Sequence, residues 1–210
     1  MRECTEERFL KDVAKHEMLV FQDDGVHRHL RFKQHGTGCM HFDLITWPGY
    51  LCYTGDMGTY VFRRLEDMFE FFRTDREHMH LHDGKKLAIN LAYWSEKLEA
   101  DDRHAGYHEW NQAKFESLIR EAFAEWIDGC DLEPEQKEEA TARMEDEVLG
   151  SLDCSGKEGA YSAAMAFQID GHGFPFQDWW EVDSDDYTFH FIWCCYALAW
   201  GIQKYDEAKM

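Results

Sequence analysis

The chain has 210 residues, with 42 Asp and Glu against 22 Lys and Arg, a net charge of −20. A hydrophobic content of 44% with 8 Trp, 9 Tyr and 15 Phe supplies a real core and excludes a disordered chain. Only 3 Pro and 15 Gly leave little room for a long linker, and the longest apolar run, Phe191–Trp200, is about half of the ~20 residues that a membrane span needs.

Residues 5–16 place Phe9, Leu10 and Val13 on one side of a short amphipathic helix. The period then changes to two. Residues 17–23, 26–33, 39–47 and 50–54 read as strands, with a short fifth at 59–62. Asp24-Gly25 is a two-residue hairpin signal and Pro48-Gly49 suits the centre of a tight turn. With Gln34–Gly38 as the second hairpin loop, Phe32 faces Met40, Arg31 faces His41, Leu30 faces Phe42 and His29 faces Asp43, so apolar and polar pairs fall on opposite faces. Gly55-Asp56-Met57-Gly58 is expected to be a turn, its spacing fitting no phosphate-binding loop.

The remainder reads as helical: 63–73, then 88–99, 108–128, 134–149, 158–169 and 187–206, with an aromatic loop at 171–180. Asp131 and Pro134 mark the start of the Glu-rich helix. The last helix is apolar nearly all round, which belongs in the centre of a core. The expectation is an α+β fold in one domain, 1–210: an N-terminal antiparallel β-meander of four to five strands (region 1–73, with a helix on either side), then about five or six packed helices in an acidic part, 87–210.

The N-terminus shows no apolar signal region, and seven scattered cysteines (4, 39, 52, 130, 154, 194, 195) form no Cys-x-x-Cys. Buried thiols in a reducing cytoplasm are expected.

Residues 42–72, Phe-Asp-Leu-Ile-Thr-Trp-Pro-Gly-Tyr-Leu-Cys-Tyr-Thr-Gly-Asp-Met-Gly-Thr-Tyr-Val-Phe followed by Arg-Arg-Leu-Glu-Asp-Met-Phe-Glu-Phe-Phe, together with Ile89-Asn90 and Tyr93-Trp94-Ser95-Glu96-Lys97-Leu98, resemble a protein family of tailed bacteriophages and prophages that has no assigned activity. The resemblance covers residues 16–100. It implies a phage-encoded protein working in bacterial cytoplasm and carries over no functional residues.

Two histidine constellations are candidates for metal chemistry. His27 and His29 alternate onto one strand face, and the register above brings His41 and Asp43 beside them, a ligand set for Zn²⁺ or another transition metal. Arg31 and Lys33 on that face oppose a cation, and an ordinary His–Asp cross-strand pair is the plainer reading. His78, His80 and His82 would project together from an extended segment, without any established zinc spacing. No nucleophile motif is present and no cofactor is expected.

The charge is uneven. Residues 1–90 hold 15 acidic against 13 basic residues, and residues 91–210 hold 27 against 9, so the net values are −2 and −18. Glu96, Glu99, Asp101 and Asp102 form one acidic cluster; Glu133, Glu135, Glu138, Glu139, Glu145, Asp146 and Glu147 form a second; Asp178, Glu181, Asp183, Asp185 and Asp186 form a third, beside Trp179 and Trp180 as candidate aromatic anchors. A solvated coat is one reading. The other is an accessory binding protein, not an enzyme, whose carboxylates mimic a nucleic-acid backbone and occupy the basic surface of a host nucleic-acid-handling or defence protein. Direct nucleic-acid binding by the acidic half is not expected, because affinity for phosphates is built from Lys and Arg; any such contact would fall to the His27–Lys33 face with Arg63 and Arg64. The alternative is a metal-dependent hydrolase or nucleotide-modifying enzyme built on His27, His29, His41 and Asp43.

Overall fold

The computed structural model describes residues 3–77, 85–150 and 152–210, apart from the side chains of 153–155. The fold is α+β, with the antiparallel sheet built first and most of the helices following. The chain divides into two compact units: Met1–His108 with Tyr187–Met210, and Glu109–Asp186.

The first unit starts with helix α1 (Glu6–Asp12), capped by Thr5, whose hydroxyl accepts from the Arg8 N–H at 3.3 Å. Strands β1 (His16–Asp24), β2 (His27–Gln34), β3 (Phe42–Trp47), β4 (Tyr50–Gly55) and β5 (Gly58–Arg63) follow as an antiparallel meander. Helices α2 (Met68–Glu77) and α3 (Leu91–Ser95) come next, then a sixth strand, β6 (Leu98–Ala100), on the far edge beside β5. The stretch 88–99 therefore holds only one short helix. Asn90 caps it and Trp94 is fully buried, donating its indole N–H to Asp75 at 2.7 Å. Leu98 then pairs with Phe62, and a three-residue strand is too short to show an alternation.

The inner face of the sheet carries Leu30, Phe32, Phe42, Leu44, Leu51, Tyr53, Tyr60 and Phe62, all fully buried. Against it lies the last helix, α7 (Phe189–Lys209), capped by the Thr188 hydroxyl. Phe191, Trp193, Cys194, Cys195, Ala197 and Leu198 are fully buried along it. Gly201 sets the close approach: a Cβ there would lie 2.9 Å from the Leu44 Cδ1 and 3.2 Å from the Phe32 ring. Phe9 of α1 closes the other side, its ring 4.9 Å from that of Trp193. Burial pushes the thiols of Cys194 and Cys195 far above the ordinary range, so these act as small apolar side chains.

The β2–β3 register is Arg28↔Thr46, His29↔Ile45, Leu30↔Leu44, Arg31↔Asp43 and Phe32↔Phe42. This is two residues away from the pairing that places His29 opposite Asp43. The cause lies in residues 39–41, which stay in the loop: Met40 has φ 57°, its N–H donates to the Asp56 carboxylate at 2.6 Å, and the His41 N–H donates to the Gly38 carbonyl at 3.3 Å. A slip of two preserves the faces, so the apolar and polar sides remain as the alternation predicts.

In the second unit, α4 (Gln112–Asp128), α5 (Pro134–Met144), a π-helical turn (Glu145–Leu149) and α6 (Leu152–Ala166, broken at Gly156 with φ 64°) surround a separate core. Phe115, Ile119, Phe123 and Ile127 of α4 share its interior with Ala140, Met144, Val148, Phe167, Phe176 and Trp179. Strands β7 (His108–Trp110) and β8 (Asp185–Tyr187) pair as a two-stranded ribbon and carry the two chain crossings between the units. α7 thus completes the sheet's core, although in sequence it follows the helices of the other unit.

The Gly55-Asp56-Met57-Gly58 segment is the β4–β5 hairpin turn, with Gly55 paired to Gly58. A Cβ on Gly55 would lie 2.2 Å from the backbone carbonyl oxygen of His41, an atom that cannot rotate away. Gly55→Ala is expected to destabilise the protein by at least about 2 kcal/mol, read as a lower urea midpoint at unchanged slope.

Candidate partner-binding surface

The sequence offers two sets of candidate residues, and the structure treats them differently. On the outer face of the sheet, the Asp43 carboxylate is only 4% exposed. Arg31 forks onto it with bonds of 2.7 and 2.8 Å, and the His29 Nε2 donates to it at 2.8 Å. Burial pushes the Asp43 carboxyl up, but the hydrogen bonds from Arg31 and then His29 outweigh it, so its pKa lies below the ordinary value.

The other two histidines lie elsewhere. His41 Nδ1 sits 2.7 Å from the Gly38 carbonyl and 2.9 Å from the Asp56 carboxylate. His27 is exposed at the start of β2, opposite Asp24. His27, His29, His41 and Asp43 therefore do not converge, and no group of three metal-ligating side chains forms among the described residues. A guanidinium occupies the carboxylate that a cation would need. The segment His78-Met79-His80-Leu81-His82 lies outside the described residues.

Of the three acidic clusters, Glu96, Glu99, Asp101 and Asp102 lie in the first unit, where Asp102 accepts from the backbone N–H groups of Thr59, His104 and Ala105, and the other two lie in the second unit. Its 78 residues hold 21 Asp and Glu against 5 Lys and Arg, a net of −16 out of −20. Four of those five cations are held inside the unit. Arg120 pairs with Glu145 at 2.8 Å and with Glu116 at 3.3 Å, and Arg143 pairs with Glu147 at 2.9 Å. Lys157 bonds both oxygens of Asp185 at 2.7 Å, and Lys114 reaches the Asp185 carbonyl at 2.7 Å and the Asp186 carboxylate at 3.5 Å.

What is left uncompensated follows from helix geometry. On α5 and the turn after it, Ala140, Met144 and Val148 face the core. Glu135, Glu138, Glu139 and Asp146 fall on the opposite side, all exposed, and among the described residues no ion pair reaches them. Four carboxylates over this stretch give about one per 5 Å, somewhat sparser than the ~3.4 Å axial spacing of phosphates on one nucleic-acid strand. Glu133 belongs to the capping box that starts α5, with the Gln136 side chain accepting from its N–H at 2.9 Å.

The segment 178–186 is anchored tightly. Ser184 is fully buried; its hydroxyl accepts from the Trp110 indole at 3.1 Å and lies 2.8 Å from the Tyr161 hydroxyl, which donates to the Val182 carbonyl at 2.7 Å. The Asp186 carboxylate accepts from the Asn111 side chain at 2.6 Å. Of the tryptophan pair, Trp179 is a core residue at 7% exposure, whereas Trp180 is 64% exposed. Asp178 turns the chain between them and Phe176 with φ 57°. Asp178, Glu181 and Asp183 are exposed around Trp180 in sequence, while Asp185 is half-buried under Lys157. Phe174, 53% exposed, is a second open aromatic in this loop that the sequence reading did not single out; its place in a Gly-rich turn, between Gly173 and Pro175, is the signal for it.

No family model, curated protein or solved structure matches the chain. No helix among the described residues is long and apolar enough to cross a membrane.

The depressed Asp43 pKa has a definite sign. The stability that it contributes is present above the unfolded carboxyl value of ~3.9 and is lost as pH falls through the lower folded value. Asp43→Asn is therefore expected to destabilise the protein at neutral pH by roughly 1–3 kcal/mol, with a smaller difference from wild type at acid pH, checked by urea unfolding across the acid range. Arg31 is 37% exposed, so solvent screening places the expectation toward the lower end.

Proposed function

We propose that the protein is a binding protein whose acidic unit, 109–186, docks on a basic surface of a bacterial nucleic-acid-handling or defence protein and blocks or redirects it. The observation that carries this reading is the concentration of −16 in a 78-residue unit whose own cations are mostly tied up internally. A field of one sign steers a basic partner over a Debye length and excludes nucleic acid itself. The exposed stripe Glu135, Glu138, Glu139 and Asp146 is the electrostatic element, with carboxylates standing where a nucleic-acid ligand would place phosphates. Trp180 is the apolar anchor, since tryptophan is enriched at interface centres, and the exposed carboxylates near it in sequence would form the polar rim. The phage-family resemblance of residues 16–100 supports a host protein as the target. The metal-enzyme alternative is not favoured, because Asp43 is occupied by Arg31 and His29.

Affinity capture from bacterial lysate at low salt is expected to recover a protein with a basic groove, released as ionic strength rises toward about 0.5 M. The four-fold variant Glu135→Lys, Glu138→Lys, Glu139→Lys, Asp146→Lys is expected to abolish capture, and Trp180→Ala to weaken it by about 10- to 30-fold with little change in salt dependence. Capture that survives the charge reversal rules the reading out.

A further inference from the structure

The sheet of the first unit has two free edges. β6 is three residues long, a short edge of the kind that avoids pairing, whereas β1 runs for nine. Beyond its ladder to β2, the backbone of residues 17–24 makes no hydrogen bond to another part of the described chain. The strand exposes Leu19 at 40%, Val20 at 51% and Phe21 at 56%. Such an edge is a template for another strand.

The charge along the strand says which strand fits. Lys15, in the turn just before the strand, His16 and Glu17 precede an apolar centre, Met18–Phe21, and Asp23 and Asp24 end it. An antiparallel copy brings Lys15, which flanks the strand, to the aspartate end of its partner, while a parallel copy would stack Glu17, Asp23 and Asp24 on their own likenesses. We propose that β1 is a self-association edge, pairing antiparallel with β1 of a second copy about a two-fold axis at Leu19. In this register Leu19 faces the partner's Leu19, Met18 faces the partner's Val20, and Lys15 faces the partner's Asp23. Moving the axis to Val20 sets Glu17 against the partner's Asp23, which is repulsive. The β1–β2 ladder shifts between Val20 and Gln22, so Phe21 lies in a bulge and the apolar pairing ends there. Asp23 already accepts from the Tyr205 hydroxyl at 2.8 Å and pairs with Lys209, so the exposed Asp24 beside it supplies the further negative charge at the end that receives Lys15.

Two copies, each at −20, repel one another over distance. Association therefore strengthens as salt is raised, the opposite of the trend expected for a basic partner, so this proposal and the proposed function fail separately. Sedimentation velocity of the full chain between about 1 and 100 µM is expected to show dimer, favoured at about 0.5 M over about 0.1 M salt. Leu19→Lys, a change at an exposed site, is expected to weaken the dimer at least about tenfold with an unaltered circular dichroism spectrum, because it opposes two like charges on the axis. Under mild oxidation Leu19→Cys is expected to form a linked dimer beyond any seen for wild type, and Glu17→Cys, which faces Phe21 of the second copy, is not. A monomer at about 100 µM under both salts, a dimer indifferent to Leu19→Lys, or equal linking by Glu17→Cys would each overturn the proposal.

Discussion

Burial of α7 against the meander is the constraint on which the first unit depends. The helix has no polar face along its middle, and the sheet's inner side is a continuous layer of aromatic and aliphatic rows from Leu30 to Phe62. Neither is tolerable in water alone, and Gly201 lets the two backbones approach closely enough for Leu44 and Phe32 to fill the space between. Because the sheet ends near residue 100 and α7 starts at Phe189, the second unit is an insertion between the two halves of one core. The core closes only after residues 109–186 have been spanned. The meander itself forms from hairpins that are neighbours in sequence, and the docking of α7 is the step that needs contacts of long sequence separation, the slow class.

The polar groups at the ends of that core are nearly all matched. Arg28 is buried at 7% exposure among Phe69 and Tyr205 and forks onto Asp67, and Arg73 and Arg76 share Asp206. Burial raises the carboxyls of Asp67 and Asp206, and the arginine hydrogen bonds outweigh it, leaving both below the ordinary value. A buried pair of this kind adds little net stability against an apolar substitute, but losing one partner strands the other. These pairs fix where α2 and the end of α7 sit on the sheet.

The meander was legible because an alternation of period two is self-checking: eight buried residues fall on one face, as the pattern requires. The β2–β3 register was not, because Met40 reads as an apolar strand residue. Its left-handed backbone and its tie to Asp56 depend on the β4–β5 turn, which is remote in sequence. The metal set failed with the register, since moving Asp43 from opposite His29 to opposite Arg31 hands the carboxylate to a guanidinium. β6 was hidden in a helical stretch because three residues carry no period. In the acidic part, composition showed the charge but not its partition, because the boundary at 186–187 falls inside a run of polar residues and is set by which core each side joins. Trp179 and Trp180 show the same limit: adjacent and identical in type, they separate into core and surface through the left-handed turn at Asp178.

The partition of charge is itself an argument about what the second unit tolerates. The first unit carries 21 acidic and 17 basic residues, a net of −4, and could lose most of its field to internal pairs. The second, at −16, cannot, so its compact state is opposed by self-repulsion that an ordinary stable fold avoids. Its few cations are placed where they offset the most: Lys157 and Lys114 on the Asp185–Asp186 segment, Arg120 tying α4 to the end of α5 through Glu145. Of the carboxylates that remain, Glu135, Glu138, Glu139 and Asp146 line the outer side of α5 and the turn after it, and Glu121, Glu125 and Asp128 stand exposed on α4. Charge arranged in this way opposes the compact state of the free unit, and under the proposed function that repulsion is relieved when a basic surface approaches.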